Sequence, residues 1–313
     1  MTPKEQYIQL REQWTQMPIF MQPWWMDAVC AGRQWDVFVS FDSEGQLRAA
    51  MPYMLSKHWR LRYVSMPQQT PAGGVWLRED VLGSEEQLAQ VACEMAEYFK
   101  AQKLQYLSCI FTSGQAAALR LRDAGFRVKE KCAYQVSDLA DLEAVIKRFS
   151  RGVKRQLQKA LSLHVDSSML AEDFYRFYLE CYASQHKHIA FTREFFLVLY
   201  QKTQRLNHSK IIRVMNADNE TLAAAFVVWD EQSAYYLISC VHASAKDSGA
   251  EALLVLEAIK TAKQQLVDFD FTTSSIKGAT TNYKQFGAAP YNYCLVSKYY
   301  NPLFWFVLLF KRS

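Results

Sequence analysis

Cysteine is present without organisation. The seven cysteines are odd in number, scattered through apolar runs, and form no CxxC pair. That argues against a disulfide framework and a zinc site and predicts reduced core residues. No other metal set is on offer, because His186 and His188 in SQHKHIAF have no carboxylate or thiol at ligand spacing. The opening MTPKEQYIQL lacks the basic start, apolar run and small-residue cleavage site of a secretory signal, so the chain is expected to stay in the cytoplasm. Long apolar runs are missing too. None is longer than Leu303 to Phe310 in the tail 302–313, which is about 12 Å as a helix, far short of the roughly 20 residues that a bilayer requires. It cannot span. It either docks on the second domain or makes a peripheral membrane contact, with Trp305 at headgroup depth and Lys311 and Arg312 on anionic lipid at the inner membrane face.

Acid is absent from one stretch. Between Ala144 and Val165 there is no Asp or Glu, while Lys147, Arg148, Arg151, Lys154, Arg155 and Lys159 are all cationic, so the net charge of +5 is a local patch. Such a patch suits one anionic ligand or surface better than a nucleic-acid coat over the whole protein. Arg151, Arg155 and Lys159 share a helix face at four-residue spacing. Lys154 and Arg155 are therefore candidate contacts to phosphate or anionic lipid headgroups, the alternative being a solvated face.

What is there is an order of elements that occurs twice. VFVSFDSEGQLRAAMPYML reads as two strands around a turn at Ser43 to Gly45, and IIRVMNADNETLAAAFVVW repeats it around Ala217 to Asn219. A helix follows in each half, Ser84 to Lys103 with a Ser-Glu-Glu-Gln capping box and Gly249 to Leu266, with Ser84 and Ser248 as the expected N-caps. Then come a short strand (LQYLSCIF, LVDFDF), a second helix, a glycine and a last strand. Strand, strand, helix, strand, helix, strand, repeated, predicts an α/β chain of two domains of one type, each a mixed sheet flanked by helices. The domains are expected at 1–137 and 138–301, with a basic helix and two aromatic-rich helices opening the second.

The PIFMQPWWMDAV opening, the SRGVKRQLQKA helix and above all FDFTTSSIKGATTNYKQFGAAP resemble the FemABX family of tandem GNAT-fold acyltransferases, over roughly residues 18 to 300. Members move an amino acid from aminoacyl-tRNA to a peptidoglycan precursor. The resemblance implies two tandem GNAT-like domains, with the acyl-donor site in the second, between central strands that splay apart. It also implies a donor used as co-substrate, aminoacyl-tRNA or acyl-CoA, and no covalently bound cofactor. The acceptor would be an anionic or lipid-linked amine, and the tRNA acceptor end a partner. This chain has Thr272, Thr273, Ser274 and Ser275 where the family loop is usually glycine-rich, and no sustained heptads for a tRNA-gripping arm.

Carried over residue by residue, Lys284 becomes the charge that neutralises an oxyanion or a terminal phosphate, and Tyr283 a ring for a base. Asp270 would orient the amine or fix Lys284, or else be an exposed-face residue on a half-buried strand. Ser274 lies in the loop that borders the donor. Gln68 and Gln69 in PQQTPAGG could read a substrate amide. Ser248 and Gly249, at a helix start, could hold a CoA pyrophosphate or merely cap the helix. The expected function is an amide-forming N-acyltransferase that transfers an aminoacyl or acyl group, its acceptor a cell-wall precursor. The alternatives are an acyl-CoA-dependent N-acetyltransferase and a non-catalytic GNAT-fold binding or scaffold protein.

Overall fold

The structure is a computed structural model that describes residues 1–10, 17–30, 32–58, 61–186, 188–273, 279–301 and 304. The first half contains α1 (Pro3–Leu10), α2 (Pro23–Cys30), β1 (Gln34–Phe41), β2 (Leu47–His58), β3 (Leu61–Ser65), β4 (Trp76–Leu77), α3 (Glu79–Leu82), α4 (Glu85–Ala101), β5 (Tyr106–Phe111), α5 (Gln115–Arg120) and β6 (Arg127–Val136). Next come α6 (Leu142–Arg148), α7 (Arg151–Lys159), β7 (His164–Asp166), α8 (Ala171–Ser184) and α9 (Arg193–Arg205). The chain continues with β8 (Ser209–Met215), β9 (Thr221–Trp229), β10 (Ser233–Val241), α10 (Ala250–Gln264), β11 (Asp268–Asp270), α11 (Ala279–Lys284) and β12 (Ala289–Tyr299). It forms two compact units, residues 1–132 with 292–313, and residues 133–291.

Local chemistry accounts for the elements read from the sequence. β1 and β2 pair around Gly45, whose φ of +77° a side chain would strain. β8 and β9 pair around Asn216 to Glu220, where the Asn216 carboxamide oxygen accepts from the backbone N–H groups of Asp218 and Glu220. Ser84 caps α4 by accepting from Gln87 N at 3.3 Å. The cap of α10 differs from expectation. Gly249 is the N-cap, at φ +85°, and Ser248 stands one residue outside, its Oγ still accepting from Ala250 N at 3.1 Å.

Unit 1 has the strand order β1-β2-β3-β5-β12 and unit 2 the order β6-β11-β10-β9-β8-β7. One parallel pair stands inside each, β3 with β5 and β10 with β11; the other pairings are antiparallel. Two strands absent from the sequence reading, β3 and β10, supply one partner of each parallel pair. The last strand of the chain pairs with β5, Cys294 opposite Phe111 through Tyr299 opposite Tyr106, so residues 292–301 belong with unit 1 and not with the second domain. Phe304 is buried against Tyr63 and Tyr106, hence on unit 1; the rest of the run Leu303 to Phe310 lies outside the described residues.

Candidate active site

In unit 2, β10 and β11 are paired at Ser233/Asp268, Ala234/Phe269 and Tyr235/Asp270. There β11 ends, while β10 runs on to Val241. Just past this point β10 bulges against β9 between Tyr236 and Ile238, and a bulge sharpens the twist and bends the strand. The ladder between β10 and β11 therefore ends in a vertex at Tyr235/Asp270.

Asp270 carries the chemistry of that vertex. Phe269 and Phe271 are part of the core that includes α10, so strand alternation turns Asp270 to the other face. It is 6% exposed, and so is not an exposed-face residue on a half-buried strand. Tyr291 Oη donates to its Oδ2 at 2.7 Å, and Thr272 N donates to its Oδ1 at 2.6 Å. Burial pushes its pKa up to about 6 despite those two bonds, with Asp230 and Asp268 adding to the rise. Tyr235, its neighbour in the parallel register, is buried and donates to Asp230 Oδ2 at 3.0 Å. Burial and the two nearby carboxylates hold that phenol well above its usual range. Thr272 has φ +66°, a left-handed conformation costly for a β-branched residue. Strain of this kind persists where the surroundings over-determine it. Here it aims the Thr272 N–H at the carboxylate.

The remaining expected site residues are dispersed. Tyr283 stacks on Phe271, centroids 4.3 Å apart, and so one ring face is committed to the core. Lys284 ends α11, exposed, with Nζ 5.6 Å from the centroid of Tyr134. Tyr134 belongs to the same core as Phe269 and Phe271, so Lys284 lies on the opposite side of the sheet from the Asp270 carboxylate. Asp270 therefore does not fix Lys284; Tyr291 and Thr272 are its partners. Ser274 lies outside the described residues. Lys154 Nζ donates to Lys147 O at 2.8 Å, closing the end of α6, and Arg155 is exposed. A Cβ on Gly249 would fall 2.1 Å from Gln156 O, so this glycine serves the close approach of α7 to the start of α10.

Gln68 and Gln69 belong to the segment that follows β3 in unit 1. There β3 and β5 pair only at Tyr63/Tyr106 and Val64/Leu107, and the stretch from Met66 to Gly74 then lies along β5. Ile110 N donates to Met66 Sδ at 3.3 Å, and Thr112 N and Ser113 N donate to Gly73 O at 2.9 and 3.0 Å. A Cβ on Gly74 would fall 2.4 Å from Ser113 O. Gln68 is exposed, and Gln69 sits at φ +51°. Unit 2 also has an open cleft of about 490 Å³ at the other end of β10, lined by residues that include Arg176, Glu180, Arg213 and His242. His242 Nδ1 accepts from Ser244 N and is 2.7 Å from Ser244 Oγ. Among the described residues no group of three or more His, Cys, Asp or Glu is placed to hold a metal, and no helix is long and apolar enough to cross a membrane.

Sequence reading missed Tyr235, Tyr291 and Asp230. The available signal was the run SAYYLISCV, whose tyrosines and β-branched residues favour a strand.

Residues 140–285 match the family model described as an acetyltransferase (GNAT) domain. No curated protein matches the chain in sequence. Among solved structures, FemX is similar with a TM-score of 0.70 at 12% identity, over 94% of this chain and 96% of that one. The C-terminal domain of a putative lysylphosphatidylglycerol synthetase from Agrobacterium fabrum gives 0.58 at 12%, over 94% and 92%. A tandem GNAT protein from the clavulanic acid biosynthesis pathway gives 0.50 at 13%, over 95% and 94%. The chain thus has the tandem GNAT fold, and its resemblance to FemX extends over nearly its whole length.

Proposed function

We propose that the protein is an N-acyltransferase that holds an ester or thioester donor in the gap between β10 and β11 and passes its aminoacyl or acyl group to an amine. The end of their pairing beside a buried carboxylate is the observation that carries this reading. The amine nitrogen attacks the carbonyl carbon, the C–O or C–S bond breaks, and the alcohol or thiol leaves. The proton of the attacking amine passes by way of the Tyr291 hydroxyl to Asp270, whose pKa near 6 suits a base at neutral pH. Lys284, at the end of α11 and on the other face of the sheet from the Asp270 carboxylate, supplies its positive charge to a terminal phosphate of the donor rather than to the oxyanion beside Asp270.

An aminoacyl-tRNA donor is favoured over acyl-CoA by the start of α10. Gly249 is packed against Gln156, and Ser248 Oγ already takes the Ala250 N–H, so little remains there of a pyrophosphate cradle. The FemABX resemblance suggests a cell-wall precursor as acceptor, and the lysylphosphatidylglycerol synthetase neighbour suggests a lipid-linked one; an acceptor of either kind would be met at the cytoplasmic face of a membrane. A screen of aminoacyl and acyl donors by mass spectrometry tests the reading. With a verified substrate, Lys284→Ala should lower transfer on the order of a hundredfold with folding intact, and Asp270→Asn should lower it comparably. Full activity in both variants would sink the assignment. A purified chain that retains donor without turnover would favour the binding-protein alternative.

A further inference from the structure

We infer that the outer face of α7 and the turn that follows it form a docking surface for an anionic phospholipid bilayer. This surface does not depend on the acyl-transfer chemistry proposed above. α7 is short, and Val153 is its one buried residue, turned to the core of unit 2. Arg151, Lys154, Arg155 and Lys159 are exposed. Lys154 and Lys159 donate to backbone carbonyls, of Lys147 and Asp247, which leaves their charge uncompensated. Arg151 and Arg155 have no carboxylate partner among the described residues.

One of these cations works against the helix it sits on. The first turn of α7 has no acid and begins with Arg151, and a cation at that end opposes the helix dipole. Helix stability would favour Asp or Glu there. Arg151 stands there against the local electrostatics, and neither it nor Arg155 has a carboxylate among the described residues to answer it, which points to a partner outside the fold.

Apolar side chains identify that partner as a bilayer. Leu161 lies in the 3-10 turn Ala160–Ser162 that follows α7, in the i, i+4, i+7 series Lys154, Gln158, Leu161, and is 78% exposed. Leu170 and Val165, on the segment after it, are 66% and 38% exposed. A nucleic acid or an acidic protein groove would use the arginines and leave Leu161 in water. A bilayer surface uses both, with cations at the phosphates and an apolar side chain at the acyl boundary.

The test is co-sedimentation of the full chain with phosphatidylcholine vesicles, with and without phosphatidylglycerol, in low and high salt. Binding should require phosphatidylglycerol and weaken with salt. Arg151→Gln with Arg155→Gln should reduce it on the order of thirtyfold, about a factor of five for each cation at an anionic surface. Leu161→Ser should reduce it by on the order of tenfold and leave the salt dependence unchanged. All three positions are exposed, so the melting temperature should hold in each variant. No binding to phosphatidylglycerol vesicles, or binding that neither variant weakens, overturns the proposal. So does capture of tRNA through the same arginines by a chain that ignores vesicles.

Discussion

At the residue scale, Asp270 links stability to pH in a direction unusual for a carboxylate. Ordinary ion-paired carboxylates have depressed pKa values and stabilise a protein as pH rises. Asp270 is raised by burial from near 4 to about 6, so between those values the folded chain binds more protons than the unfolded one. Its contribution is therefore most favourable below pH 4, declines as pH rises to 6, and is constant above. A shift of two units corresponds to a loss of about 3 kcal/mol across that window. Asp270→Asn removes the titration, and its amide can still meet the Tyr291 hydroxyl and the Thr272 N–H. Denaturant midpoints measured from pH 4 to 7 should show the variant gaining on the native chain as pH rises; parallel curves would mean that Asp270 is not desolvated. The candidacy of Asp270 was legible in the DFDF alternation beside a hydroxyl-rich loop. Its partners were not, because Tyr291 lies on another strand, and its pairing with Asp270 depends on how the sheet closes.

At the element scale, two glycines near α7 respond in opposite ways to the same substitution. Gly249 needs its φ of +85° and has Gln156 O where a Cβ would stand, so alanine must push α7 away from α10. The left-handed backbone alone costs alanine about 1–2 kcal/mol, and displacing a backbone carbonyl adds to it; Gly249→Ala should lower stability by about 3 kcal/mol or more. Gly152 is inside α7, and a Cβ there meets only ordinary contacts at 3.6 Å. Gly152→Ala should raise stability by about 0.5–1 kcal/mol through helix propensity. Thermal melts of the two variants decide it, and a stable Gly249→Ala would mean that α7 is not seated on α10. The hairpins and long helices were readable from turn residues, caps and apolar stripes. β3 and β10 were not. LRYVS and SAYYLISCV carry few turn signals, and short apolar runs of this kind do not reveal whether they belong to a strand or a buried helix.

At the scale of the whole molecule, the repeat predicts two domains in succession, yet the chain closes unit 1 with its final strand. Sequence order could show that each half ends in a glycine and a strand; it could not show which sheet that strand joins, since β12 meets β5 across a separation of some 180 residues. The core of unit 1 includes Cys294 and Val296, both buried, alongside Leu107, Cys109 and Phe111 of β5. Removing residues 292–313 would strip β5 of its antiparallel ladder and open that core to water, while unit 2 would keep β7 to β11, which lie wholly within 133–291. Exposing a buried strand edge and two core side chains costs more than a domain's usual margin of about 5–15 kcal/mol can reliably absorb. Hydrogen exchange read by mass spectrometry on a chain truncated after Tyr291 should therefore show protection lost from β1, β2, β3 and β5 and kept in β8, β9 and β10. Retained protection in β5 would mean that unit 1 folds without its last strand. Loss of protection in both units would mean that they unfold as one cooperative body, and the donor gap of unit 2 would then depend on the C-terminal strand as well.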